Sequence, residues 1–85
     1  PKGALVNRRG VVNCLYAIQS FLQVKSSDTF LAVTSISFDV AVMDYFLPLS
    51  TGAKIIISSQ VEQKDAIKIN DLIQSHATNF IQGTP

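Results

Sequence analysis

Asp39 is the strongest candidate for a functional residue in the sequence. Apolar residues lie close to this carboxylate on both sides in the stretch 38–49. It stands where a helix is predicted to begin, directly after an apolar strand and a Ser-rich turn. Open α/β sheets bind their ligands at the carboxyl ends of the strands. An aspartate at this point can cap the helix or pair with a bound cation. The residue pattern leaves both roles open.

Four further residues could contribute to a site beside Asp39. Met43 lies four positions after Asp39 and three after Val40, so the three share one end of the predicted helix. Plain core packing is the simpler interpretation of Val40 and Met43. Gln82 is a polar residue at the end of an apolar run, which core packing explains less well. Phe38 is compatible with either the core or a pocket wall.

The elements that position these residues follow from apolar periodicity. Apolar runs predict strands at 4–6, 29–34, 54–58 and 79–81, and helical spacing predicts helices at 11–22, 39–49 and 64–75. The strands are continuously apolar rather than alternating, which favours a parallel sheet covered on both faces. The predicted fold class is therefore α/β, with the order β-α-β-α-β-α-β and a mostly parallel sheet. The stretch 58–63 is predicted to be a polar loop.

Composition indicates a piece of something larger. The 85 residues suffice for one small domain at most, and the charged fraction of 15% is low against a hydrophobic fraction of 47%. Together with Pro1 and Pro85 at the ends, this predicts an internal fragment of a larger domain. The single cysteine, Cys14, excludes an internal disulfide and is expected to be buried in the first helix.

The charge balance and hydropathy narrow the classes of partner. A net charge of +1 gives no reason to expect nucleic acid. No apolar run reaches the ~18 residues of a spanning helix and no signal peptide opens the chain, so we expect no membrane partner and a cytoplasmic location. His76 has no ligand at metal-binding spacing, so no metal site is predicted. The remaining acidic residues, namely Asp44, Glu62, Asp65 and Asp71, are interpreted as solvated charges or helix-end partners.

Three motifs carry a resemblance to a known family. Pro1-Lys2-Gly3, followed by the stretch 7–13, resembles the end of the phosphate loop of adenylate-forming enzymes. Phe38-Asp39-Val40-Ala41, with Phe46-Leu47-Pro48-Leu49 after it, resembles the substrate motif of nonribosomal peptide synthetase adenylation domains. Gln82-Gly83-Thr84-Pro85 resembles a strand end that forms another wall of their substrate pocket. The motifs cover the whole chain in the family's order.

The resemblance implies a part of the large N-terminal subdomain of such a domain. The implied reaction joins an amino acid to ATP, with Mg²⁺, and releases pyrophosphate. The aminoacyl group then passes to the phosphopantetheine thiol of a carrier-protein domain. Because the catalytic lysine and the adenine-binding motifs would lie in the rest of the adenylation domain, no catalytic residue is expected here. By itself, the chain is expected to be inactive.

The resemblance also assigns roles to individual residues. It implies that Asp39 binds the α-ammonium group of the substrate, and that Val40, Met43 and Gln82 form pocket walls. Phe38 would lie beside the acyl-adenylate. Lys2 and Gly3 would belong to the loop that closes over the ATP phosphates. The wall residues favour a small or apolar amino acid.

Two alternatives remain. One is an acyl- or aryl-acid-activating relative, against which Asp39 argues because a fatty acid has no ammonium group to pair with a carboxylate. The other is a non-catalytic α/β binding module.

Overall fold

The fold is a small parallel sheet with helices packed against it. A computed structural model describes residues 3–37 and 41–83. The elements in chain order are α1 (Arg8–Leu22), β1 (Thr29–Ala32), α2 (Ala41–Thr51), β2 (Lys54–Ile57), α3 (Gln60–Gln63), α4 (Ala66–His76) and β3 (Phe80–Ile81). The α/β class and the parallel sheet are thus confirmed.

The sheet has the strand order β2-β1-β3, with β1 in the centre and both pairings parallel. All four residues of β1 are buried, as the continuous apolar run predicts for a central parallel strand. Phe30 pairs with Ile55 of β2 on one side and with Phe80 of β3 on the other. Because the strands are parallel, their carboxyl ends lie at one edge of the sheet, where β1 ends at Ala32 and β3 ends at Ile81.

Local side-chain bonds fix where the helices begin. The side chain of Asn7 accepts a hydrogen bond from the Gly10 backbone N–H at 2.8 Å and caps α1. Asp65 caps α4 by accepting from the Ile67 N–H at 3.0 Å. Ser59 and Glu62 form a reciprocal capping box at α3. Asp65 and Glu62 are therefore helix-end partners, as predicted.

The core lies between α1, α2 and the sheet. It is built around Val24, Phe30 and Leu47, which are all buried. The ring of Phe80 stacks on that of Phe30 with centroids 4.8 Å apart, which joins β3 to the core. The core therefore fixes the first turns of α2 relative to the end of β3.

Two predicted backbone assignments are wrong. Residues 4–6 are not a strand: Leu5 and Val6 are exposed, and no strand of the described sheet pairs with them. An apolar triplet without a neighbouring strand has no partner for its backbone hydrogen bonds. The stretch 58–63 is not a plain loop, because the capping box starts the short helix α3 within it.

Cys14 is exposed, contrary to the prediction. The side of α1 that is partly buried carries Leu15 and Ile18, which pack against the core. Phe21 of the same helix is also exposed, at 86%.

Large apolar side chains remain exposed on several elements. Examples are Phe21, Ile57 and Ile67, which are 86%, 66% and 74% exposed. Two sheet edges, β2 and β3, are also unpaired within the described residues. Within these ranges no helix has the length and hydropathy needed to cross a bilayer.

We predict that the 85-residue chain, expressed by itself, is poorly stable and prone to aggregate. Open strand edges and exposed apolar side chains both promote association, and a core of this size stabilises little. Circular dichroism during heating and the hydrodynamic radius measure this. A cooperative unfolding transition together with a monomeric radius would contradict the prediction.

Candidate functional site

A cavity of about 640 Å³ lies between α1, α2, β1 and the end of β3. Its wall is mostly apolar and includes Ile18 of α1, Phe30 of β1, Leu47 of α2 and Phe80 of β3. Polar groups come from Asp44 and Gln82. A mostly apolar concavity with a few polar groups is typical of small-molecule sites.

Met43 and Gln82 line this same cavity. Met43 lies in the first turn of α2 and Gln82 directly after β3, so the two are far apart in the sequence. Met43 is half-buried and Gln82 is exposed. The stacking of Phe80 on Phe30 holds the strand that precedes Gln82 against the core. The fold therefore brings together two residues that the sequence predicted for one pocket.

Asp44 is a further polar group of the cavity, and the prediction that it is a solvated charge is wrong. Its side chain is only 3% exposed. One carboxylate oxygen, Oδ2, accepts a hydrogen bond from the Thr34 backbone N–H at 3.3 Å. Burial raises the pKa of the Asp44 carboxyl, while hydrogen bonds from Thr34 and from the Val33 backbone act in the opposite direction.

The sequence does contain a signal for this burial. The buried residues of α2 are Ala41, Asp44, Leu47 and Pro48, which recur at helical spacing. Asp44 therefore occupies a position on the apolar stripe of α2, between two turns that pack inward. Its acidic residue type nevertheless predicts exposure to solvent, because ionised carboxylates are rarely buried unless they are paired.

The other predicted site residues are not all described. Phe38, Asp39, Val40 and Lys2 lie outside the described residues, so their roles stay predictions. Gly3 lies in exposed coil, and open space surrounds the position that a Cβ would take there.

Among residues 3–37 and 41–83, no cluster of three or more His, Cys, Asp or Glu side chains could hold a metal ion. The described residues of this site form the wall of the 640 Å³ cavity.

Comparison with known proteins gives the family. The family model described as "AMP-binding enzyme" matches residues 1–85. The chain is 31% identical over its full length to the dimodular nonribosomal peptide synthase of Bacillus subtilis, of which it covers 4%. It is 34% identical over its full length to pyochelin synthetase PchE of Pseudomonas aeruginosa and covers 6% of it. Tyrocidine synthase 3 of Brevibacillus parabrevis is 32% identical over the same 85 residues, which are 1% of that protein.

The matches span the whole chain and only a small part of each relative. They cover the three motifs on which the resemblance was based. This chain therefore belongs to the AMP-binding enzymes, which confirms the resemblance to nonribosomal peptide synthetase adenylation domains that its sequence motifs indicated.

Proposed function

We propose that this chain forms one side of the amino-acid pocket in an adenylation domain of a nonribosomal peptide synthetase. It belongs to the large N-terminal subdomain of that domain. The complete domain converts an amino acid and ATP to aminoacyl-AMP and pyrophosphate, and then loads the aminoacyl group on the phosphopantetheine thiol of a carrier domain. By itself, the 85-residue chain has no catalytic activity.

The observation that carries the proposal is that Met43 and Gln82 line one cavity. The family resemblance implies, independently of the fold, that both are wall residues. Core residues such as Phe30 and Leu47 also line this cavity, so the residue that distinguishes a pocket from plain core packing is Gln82. Gln82 in particular is exposed and polar, so its place at this cavity is not explained by burial of apolar surface.

The roles assigned to this chain are binding and positioning. Asp39 supplies a carboxylate for the α-ammonium group of the substrate, and Phe38 and Val40 continue the wall that Met43 begins. At an effective dielectric of 20, an ammonium ~4 Å from a carboxylate gains about 4 kcal/mol. Lys2 and Gly3 belong to the loop that covers the ATP phosphates. ATP supplies the leaving pyrophosphate, and Mg²⁺ compensates its charge. Residues outside this chain would complete the site for both.

The test is amino-acid-dependent exchange of radiolabelled pyrophosphate into ATP by the complete adenylation domain. A panel of amino acids is compared with carboxylic acids of similar side chain that lack the amino group. We expect exchange with at least one amino acid and none above background with its des-amino analogue. Exchange with the des-amino acids instead would show an acyl- or aryl-acid-activating enzyme and overturn the proposal.

Met43→Trp in the complete domain is expected to shift the preference towards smaller amino acids. The indole ring adds volume to the wall of the cavity that Met43 lines, so larger substrates lose space. The KM for ATP is expected to stay within about two-fold, because the proposed role of Met43 is in the amino-acid wall and not in the loop that covers the phosphates. Pyrophosphate exchange across the amino-acid panel measures the shift.

The matched control is Met43→Leu, which nearly conserves side-chain volume and is expected to leave the preference as it is. An unchanged preference in Met43→Trp would mean that Met43 packs in the core and does not contact the substrate.

A further inference from the structure

Apolar packing alone does not explain why a carboxylate occupies the buried position of Asp44. It occupies the inward stripe of α2 with Ala41, Leu47 and Pro48, where an apolar side chain would suit the surroundings. Burying a carboxylate costs free energy unless hydrogen bonds compensate it. Its Oδ2 accepts from the backbone N–H of Thr34, which lies two residues after the end of β1.

That bond joins two parts of the structure at the cavity. Thr34 follows the central strand, and Asp44 lies in the first turn of α2. Met43 is the sequence neighbour of Asp44 and projects from the same turn, and both residues line the cavity. A bond that holds this turn to the end of β1 therefore also sets where the Met43 side chain lies relative to Gln82.

We propose that Asp44 is a positioning residue of the substrate pocket: its carboxylate accepts the Thr34 N–H, ties the first turn of α2 to the end of β1, and so fixes the wall that Met43 presents. The inference rests on the proposed function for the identity of the substrate as an amino acid. It does not require Asp44 to touch the substrate. Burial raises the pKa of this carboxyl, which agrees with a group enclosed by protein.

Three substitutions in the complete domain separate the hydrogen bond from the charge. Asp44→Asn keeps an oxygen that can accept the Thr34 N–H, while Asp44→Leu and Asp44→Ala remove the acceptor. We expect Asp44→Leu to raise the KM for the amino acid about 10-fold, on the order of what losing a hydrogen bond to a charged group does. We expect the KM for ATP to stay within about two-fold, and Asp44→Asn to restore the amino-acid KM to within about two- to three-fold of wild type.

Asp65→Ala is the matched control. Asp65 also accepts a backbone N–H, that of Ile67 at 3.0 Å, but it caps α4 and does not line the cavity. Its loss lowers stability through the lost cap and is expected to leave both KM values unchanged. A melting curve recorded for each variant distinguishes a loss of folded protein from a change in the pocket.

Each outcome bears on the proposal. An amino-acid KM that stays within two-fold of wild type in the folded acceptor-free variants would overturn it, as would equal increases in the KM for ATP and for the amino acid. Asp44→Asn behaving like Asp44→Leu would also overturn it, because the charge would then matter rather than the acceptor. If Asp44→Leu does not fold, Asp44→Ala gives the same comparison without added volume.

If the proposed function is wrong, the experiment gives a result that differs from a failure of the positioning role. Wild-type exchange with des-amino carboxylic acids would overturn the amino-acid assignment. The same Asp44 variants are then compared by their KM for that acid, since the placement of Met43 concerns the pocket wall whichever acid it receives. An increase there would support the positioning role, and an unchanged KM would overturn it.

Discussion

Asp39→Asn in the complete adenylation domain is expected to cost the enzyme most of its affinity for amino acids while leaving the fold intact. Asparagine caps a helix about as well as aspartate, so the free energy of unfolding is expected to change by no more than roughly 0.5 kcal/mol. If Asp39 has its proposed role, the substitution removes the negative charge that pairs with the substrate ammonium. Removing one partner of such a pair typically costs about 2–5 kcal/mol, or roughly 30-fold to several thousand-fold in affinity.

The measurement is amino-acid-dependent pyrophosphate exchange beside a melting curve. Asp39→Ala is expected to lose both the cap and the charge, so it lowers the melting temperature as well as the activity. Asp71→Asn is the control for charge alone, because Asp71 is an exposed aspartate of α4. Near-wild-type exchange by Asp39→Asn would mean that Asp39 only caps the helix, and the amino-acid assignment would lose its main support.

The fold was predictable from the sequence wherever burial and periodicity agree. The continuous apolar run at 29–34 predicted the central strand, which the structure confirms as the buried β1, although β1 ends at Ala32. Helical spacing at 11–22 predicted a first helix, which the structure has as α1, with Leu15 and Ile18 packed against the core. The triplet at 4–6 shows the limit, because a strand requires a neighbouring strand, and apolar content alone does not show whether one is present.

The site was predictable in a different way. Nothing in the spacing alone separates Met43 as a pocket wall from Met43 as core; the family resemblance made that distinction, and the cavity that Met43 shares with Gln82 supports it. The prediction that Asp44 is solvated is wrong because an acidic residue type indicates exposure to solvent, whereas its position in α2 lies on the buried stripe. Its burial depends on a bond to Thr34, ten positions earlier in the chain, and such a bond becomes visible only when β1 and α2 are packed together.

Leu31→Ala in the complete domain is expected to lower the free energy of unfolding by about 2–5 kcal/mol, the range for truncating a fully buried leucine. Leu31 is 1% exposed in the central strand, where it pairs with Ile56 of β2 and Ile81 of β3. Strands on both sides hold its surroundings in place, so the cavity left by the lost methyl groups cannot readily collapse. Chemical denaturation with urea measures the change, with the slope expected to match wild type.

Leu31→Met nearly conserves volume and is the matched control, with an expected cost below about 1.5 kcal/mol. The comparison also bears on the pocket, because β1 carries Phe30 on the cavity wall and leads to Thr34, the partner of Asp44. A strand that is loosened by Leu31→Ala is therefore expected to raise the KM for the amino acid as well as to lower stability. If Leu31→Ala lowered the free energy of unfolding by less than about 1 kcal/mol and left the KM for the amino acid unchanged, the prediction would be wrong. Neither the core nor the pocket would then depend on β1.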